Sequence, residues 1–176
     1  MPQPSSGDVN PDVAQALSPV IRRRPRLIAD SMLGKLAKSL RMLGLDVVYE
    51  PFIEDSELLR RAREEGRVIL TRDRQFIRRR NLPSFVFIES DHVNDQLAQV
   101  ARELGLAVNK SRAFTRCLVC NGELVEAPKE SVRLEVPAYV FETRDRFARC
   151  AACRRVYWRG THVEGMERRL EQLGIG

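Results

Sequence analysis

From Arg26 onward, short apolar runs alternate with longer segments whose apolar residues recur at helical spacing. Leu27-Ile28-Ala29 leads into Met32, Leu33, Leu36, Ala37, Leu40 and Leu43, and Gly44 suits the end of that helix. Val47-Val48-Tyr49 leads into a helix from about Asp55 to Glu65, with Leu58, Leu59 and Ala62 inward and Gly66 behind it. Val68-Ile69-Leu70 precedes a short basic helix ending near Arg80, and Phe85 to Ile88 precedes a helix from about Asn94 to Leu104. Short strands that are apolar without alternation are buried on both faces. Strands alternating with helices need crossover connections, so the expected fold is α/β, a parallel sheet flanked by helices.

That pattern stops near residue 110. Cysteine pairs, prolines and short β-like runs, Tyr139-Val140-Phe141 and Val156-Tyr157-Trp158, replace it. Residues 1–25 are rich in Pro, Ser and Arg and read as a flexible extension, with one helical turn at Val13 to Leu17. The expected organisation is this extension, an α/β domain over 26–110, and a small β-rich module over 111–176 that ends in a helix. No apolar run approaches the roughly 20 residues of a membrane span, and the first 20 residues lack a secretory pattern. A cytoplasmic, non-membrane protein is expected, its oligomeric state left open, a homodimer included.

Three strands end in acid: "LIAD", "VILTRD" and "FIESD". In an open parallel sheet the active crevice lies beyond the C-terminal strand ends. Asp30, Asp73 and Asp91 therefore share one sheet edge. Asp55 opens the second helix and can join them, with Glu54 and Glu57 as near rivals and Asp95 as a rival to Asp91. Carboxylates crowded together repel, and a hard divalent cation such as Mg²⁺ relieves that repulsion with oxygen ligands. One or two such ions polarise a phosphodiester and activate water. Arg72 and Arg74 flank Asp73 and would bind phosphates. Taken singly, Asp30, Asp55 and Asp73 each read more readily as a helix cap than as a catalytic acid, and it is their equivalent placement that points to a shared site.

The four cysteines form two pairs, Cys117-x-x-Cys120 and Cys150-x-x-Cys153, 29 residues apart. In a reducing cytoplasm such pairs read as a closed four-thiolate zinc site, structural rather than catalytic. Gly122 lets the backbone fold behind the second sulfur. The net charge is +6, and only four of the 30 basic residues are Lys. A basic chain fits a polyanionic partner. Arg154 and Arg155, with Arg116, Arg149 and Arg159, surround the cysteines, and Tyr157 and Trp158 lie between them. Such interleaving binds RNA by phosphate contact and stacking, or else Trp158 packs a small core. His92 and His162 fall in different modules, which argues against a histidine-pair ribonuclease.

Three stretches taken in order, "DSMLGKLAKSLRMLGLDVVYE", "DSELLRRAREEGRVILTRDRQF" and "FTRCLVC…RCAACRRVYWRGTH", resemble the Mut-seven C-terminal RNase domain family over about residues 26 to 166. The resemblance implies a PIN-like nuclease fold with a C-terminal zinc ribbon, and a ribonuclease dependent on Mg²⁺ or Mn²⁺. It implies that Asp30, Asp55, Asp73 and Asp91 are the catalytic acids and that RNA is the partner. Lys35 and Arg41 match family positions on the first helix and are assigned to RNA. Many such nucleases carry Glu at the second acidic position, where this chain has Asp55. Two rivals stand beside this reading. One is a non-catalytic RNA- or ribosome-binding zinc-ribbon protein. The other is a phosphatase with Asp30 as nucleophile, although Asp30-Ser31-Met32 lacks the expected second Asp.

Overall fold

The structure, a computed structural model, describes residues 24–106 and 112–160 together with Gly165. The proposed turn at Val13 to Leu17, His162 and the C-terminal helix lie outside the described residues. Four short strands, β1 (Leu27–Ala29), β2 (Val47–Tyr49), β3 (Val68–Thr71) and β4 (Phe85–Phe87), form a parallel sheet in the order β2-β1-β3-β4. Helices α1 (Gly34–Met42), α2 (Asp55–Glu65) and α3 (Val93–Glu103) connect or follow the strands.

The pleat sorts the core into two layers. Leu27, Ala29, Val68 and Leu70 face α1 and α3, where Leu36, Leu40, Leu97 and Val100 meet them. Ile28 and Ile69 face the other way, against Leu58 and Ala62 of α2 and Phe76. Both faces of the central strands are thus covered, which is why they read as unbroken apolar runs. Burial of one such Leu or Ile side chain stabilises by roughly 1.5–3 kcal/mol. Gly44 ends α1 with φ +77, and a Cβ there would meet the Arg112 carbonyl oxygen at 2.1 Å. Both the left-handed backbone and the close approach require glycine at that position.

Side chains close the two outer strands. Leu27 N donates to Asp46 O at 2.8 Å, so the backbone groups of Val47 point away from β1. Val47 N donates to Asn121 Oδ1 (3.1 Å), and Val47 O accepts from Arg41 Nε (2.9 Å). On the far edge, Gln99 uses its amide as a strand would. Its Nε2 donates to Phe87 O (2.8 Å), and its Oε1 accepts from Glu89 N (3.1 Å).

The second module carries an antiparallel sheet of β5 (Leu124–Ala127), β6 (Phe147–Cys150) and β7 (Val156–Trp158). Ala127, Val132, Val136, Val140 and Phe147 form its own small core. Two expectations are corrected. Tyr139-Val140-Phe141 is not a strand but lies in helix α4 (Ala138–Thr143). Three apolar residues cannot distinguish the two periods; here Pro137 opens the helix, Val140 is buried with Phe141 packed half-buried beside it, and Tyr139 is 68% exposed. The basic segment after β3 is only a 3₁₀ turn, Phe76–Arg78, and Arg79 is already extended.

Candidate active edge and four-cysteine centre

In the order β2-β1-β3-β4 the chain turns to opposite sides after β1 and after β3. Asp30 follows β1, and Thr71-Arg72-Asp73 ends β3 and follows it, so both lie at this switch point, where open α/β sheets bind ligands. Asp30 Oδ1 accepts from Met32 N (2.9 Å) and caps the 3₁₀ turn Ser31–Leu33. Its Oδ2 accepts from Thr71 Oγ1 (2.6 Å) and Arg72 N (2.9 Å). Thr71 is 1% exposed, and its Oγ1 also accepts from Asp73 N (3.0 Å). Asp73 Oδ1 accepts from Gln75 N (2.7 Å), an Asx turn rather than a helix cap. One buried hydroxyl therefore joins the two central acids.

The outer two acids stand in different layers. Asp91 precedes α3 and pairs with Arg72, while Asp55 opens α2 and pairs with Arg79. The rivals have other partners: Glu57 binds Arg60 (2.7 Å) and Asp95 accepts from Ser90 Oγ (2.9 Å). The four aspartates share an edge without closing into a compact set. Among the described residues the cysteine sulfurs are the one set of three or more metal-type ligand atoms within 4.8 Å of one another. A cleft of about 580 Å³ opens between the N-termini of α1 and α3, lined by Lys35, Tyr49, Arg72, Asp91, His92 and Gln96 among others. Arg74 is exposed and lies over the Phe87 ring (5.9 Å).

Arg41 is not at this edge. It is 2% exposed and its guanidinium donates to Val47 O, Leu118 O and Val119 O inside the molecule, so it cannot touch RNA. Helical spacing places a charge on a helix without revealing what will cover it. Burial lowers its pKa, while Cys117, Cys120, Tyr157 and Asp46 pull the other way.

The cysteines sit on two turns with the same hydrogen bonds. Asn121 N donates to Cys117 O (3.0 Å) as Arg154 N does to Cys150 O (3.1 Å). Cys117 N donates to Gly122 O (2.8 Å) as Cys150 N does to Arg155 O (2.9 Å). The residue after each pair, Asn121 or Arg154, takes a left-handed backbone. Gly122 itself favours close packing: a Cβ there would crowd Cys150 Sγ at 3.0 Å and Ala152 Cβ at 3.1 Å. Sulfurs pair across the turns, Cys117 with Cys153 at 3.6 Å and Cys120 with Cys150 at 3.4 Å. Zinc–sulfur bonds of about 2.3 Å in a tetrahedron put sulfurs about 3.8 Å apart, so the four residues fit zinc with little movement. Tyr157 Oη lies 3.0 Å from Cys117 Sγ and accepts from Leu118 N (3.2 Å), which leaves its proton for the sulfur. Burial works against the Cys117 thiolate, but the Cys120 amide and the Tyr157 hydroxyl hold that thiol down to about 6. Arg154 and Arg155 are exposed beside this centre, while Arg149 is clamped on Glu135 at 2.7 Å.

Sequence reasoning passed over two residues, Thr71 and Asn121, and read a third, Tyr157, only as a base-stacking ring. Thr71 is a polar end to an apolar strand. Asn121 precedes Gly122, a pair that favours a left-handed turn. Tyr157 carried no signal that separates a zinc partner from a base-stacking ring.

Carboxylates at the switch point of a parallel sheet, followed by a separate antiparallel sheet that carries four clustered cysteines, define the class as an α/β protein with a four-cysteine module. The family named Mut7-C RNAse domain matches residues 25–170, and the chain belongs to that family. It is 32% identical over 115 residues to the human Exonuclease mut-7 homolog. That stretch is 62% of this chain and 13% of the relative. No solved structure matches the chain.

Proposed function

We propose that this chain is a metal-dependent ribonuclease of PIN-like fold whose zinc ribbon helps to hold RNA. Family membership and the exonuclease relative support a nuclease-like role. The observation that carries the finer reading is the Asp30–Thr71–Asp73 unit at the switch point, beside a cleft lined by Lys35 and Arg72. Its donors are hard oxygens, and a carboxylate has about four acceptor positions. Asp30 uses three in the hydrogen bonds above, and Asp73 uses one. Both keep capacity for Mg²⁺ or Mn²⁺, so the residues fit such an ion. When bound, it would supply charge neutralisation at the scissile phosphate and activation of water.

The chain's own residues supply the rest. Asp30 and Asp73 are held in fixed orientations by backbone amides and by Thr71. Arg72 pairs with Asp91 at rest, and a phosphate can compete for its guanidinium. Lys35, exposed on the cleft wall, attracts the same phosphate. Asp55 and Asp91 add negative charge from the two flanking layers. Arg154 and Arg155 would bind the RNA backbone from the ribbon. The four thiols suit a reducing, cytoplasmic setting. No helix among the described residues is long and apolar enough to cross a membrane.

A second reading has its own observation. The ion pairs Arg72–Asp91 and Arg79–Asp55 tie up two of the four acids, as a non-catalytic RNA-binding protein would permit. Asp73→Asn separates the two. Asn keeps the acceptor for Gln75 N, so stability should change by under about 1 kcal/mol. Sequencing of RNA ends after incubation with Mg²⁺ or Mn²⁺ should show cleavage by wild type and a fall of 100-fold or more in the variant, on the scale of ~2.7 kcal/mol in the barrier. RNA bound but left intact by wild type under both metals would favour the binding reading.

A further inference from the structure

Arg41 and Arg67 are both buried arginines, and the contrast between them is informative. Arg67 lies between two carboxylates, Asp46 at 2.8 Å and Glu65 at 2.6 Å. Arg41 has no carboxylate within 4.0 Å among the described residues; its partners are carbonyl oxygens. A buried cation is tolerated only beside opposite charge and with its donors filled. Two of those carbonyls belong to Leu118 and Val119, the residues between Cys117 and Cys120, at 3.0 Å each. The third is Val47 O, on the open edge of β2. Asn121, next along the same turn, takes Val47 N and donates from Nδ2 to Asp46 Oδ1 (2.7 Å).

We propose that Arg41 is the counter-cation and positioning residue of the four-cysteine centre, and that zinc bound there locks the β2 edge of the sheet through Arg41 and Asn121. The inference rests on zinc as the bound metal, which the sulfur geometry fits. Zinc with four thiolates has a net charge of −2, and the Cys117 and Cys150 side of the centre is buried. Arg41 supplies a positive charge on the side that faces the sheet. The turn that wraps the metal also aims the Leu118 and Val119 carbonyls at the guanidinium. Loss of zinc would release the shape of the turn and change the charge that Arg41 faces on the cysteine side, while Asp46 stays nearby. Coupling of this kind is reciprocal. If zinc fastens β2, then the fastened β2 edge tightens zinc by the same factor, and Arg41 carries part of that coupling. Arg41 binds neither metal nor substrate, so its action is indirect, through the carbonyls of the turn.

The test uses the full chain with zinc bound. Zinc affinity is measured by competition with a chromophoric chelator for wild type and Arg41→Met, which keeps length and loses charge. The expected result is a 10- to 100-fold weaker site, the range seen when an outer partner of a metal site is removed. Hydrogen exchange is followed at residues 46–49 and, as a reference, at 69–71 and 85–87, with and without zinc. Zinc removal from wild type should speed exchange at 46–49 far more than at the reference strands. Asn121→Gly, which keeps the left-handed backbone, should speed exchange at Val47 even with zinc bound. Should Arg41→Met not fold, the wild-type exchange comparison and Asn121→Gly still decide. Zinc affinity within twofold of wild type, or β2 exchange indifferent to zinc, would overturn the proposal, and neither result depends on whether the chain cleaves RNA.

Discussion

Thr71 shows how much one buried hydroxyl can organise. It donates to Asp30 Oδ2 and accepts from Asp73 N, so it sets the distance and facing of two acids that belong to different strands. Thr71 is 1% exposed, and Thr71→Val keeps the shape, takes the acceptor from Asp73 N and leaves Asp30 Oδ2 with Arg72 N alone. The expected cost is about 1–3 kcal/mol of stability, with the proposed cleavage reduced as Asp30 loses one of its three contacts and Asp73 its tie to Asp30. Thr71→Ser should restore most of both. Chemical denaturation alongside a cleavage assay checks this, and a valine variant with wild-type stability and activity would deny Thr71 the role. The acids themselves were legible, because an Asp after an apolar strand is visible in the string. Thr71 was not, since its value lies in a contact with Asp30, 41 residues earlier in the chain. Arg41 failed for the opposite reason. Its charge is plain in the sequence, but its burial is created by a turn 77 residues away.

At the scale of the element, the central strands were readable because both of their faces are covered, and Gly44 and Gly66 marked the helix ends. Edges were not readable. A strand's sequence does not say whether it will be inside or outside the sheet, or what will finish its unpaired groups. Here the two outer strands are finished by side chains from elsewhere, Asn121 and Arg41 on β2 and Gln99 on β4. Gln99 is 6% exposed, which is unusual for an amide on an amphipathic helix and makes sense only as a substitute strand. Gln99→Leu should therefore cost about 1–3 kcal/mol, although it makes the helix face more apolar. It should also favour self-association through the freed β4 edge. Denaturant midpoints and sedimentation measure the two effects. A more stable, monomeric variant would show that the amide only fills space. The same limit explains the misread α4: with three apolar residues in a row, only the packing of Val140 and the preceding Pro137 decide between strand and helix.

The whole molecule sets the acids and the ribbon at opposite ends of one short sheet. Asp30 and Asp73 follow the C-terminal ends of β1 and β3, whereas the Cys117 turn grips β2 at Val47, its first residue. Three residues of strand span about 10 Å. An RNA strand touching both must therefore run along the molecule, and Lys35 and Lys38 lie exposed on α1 between the two ends. Under the proposed function, the ribbon's contribution to RNA binding would then be separable from the chemistry. Each phosphate contact with a single strand changes the slope of log affinity against log salt by about 0.7. If Arg154 and Arg155 each hold one phosphate, Arg154→Ala with Arg155→Ala should lower that slope by about 1.4. Affinity at low salt should fall with it, while zinc content stays at wild type because neither side chain is a ligand. Turnover at saturating RNA should stay near wild type, since the acids lie at the other end of the sheet. Filter binding across a salt series measures the slope. An unchanged slope would mean that RNA does not reach this face of the ribbon and that its arginines only solvate it.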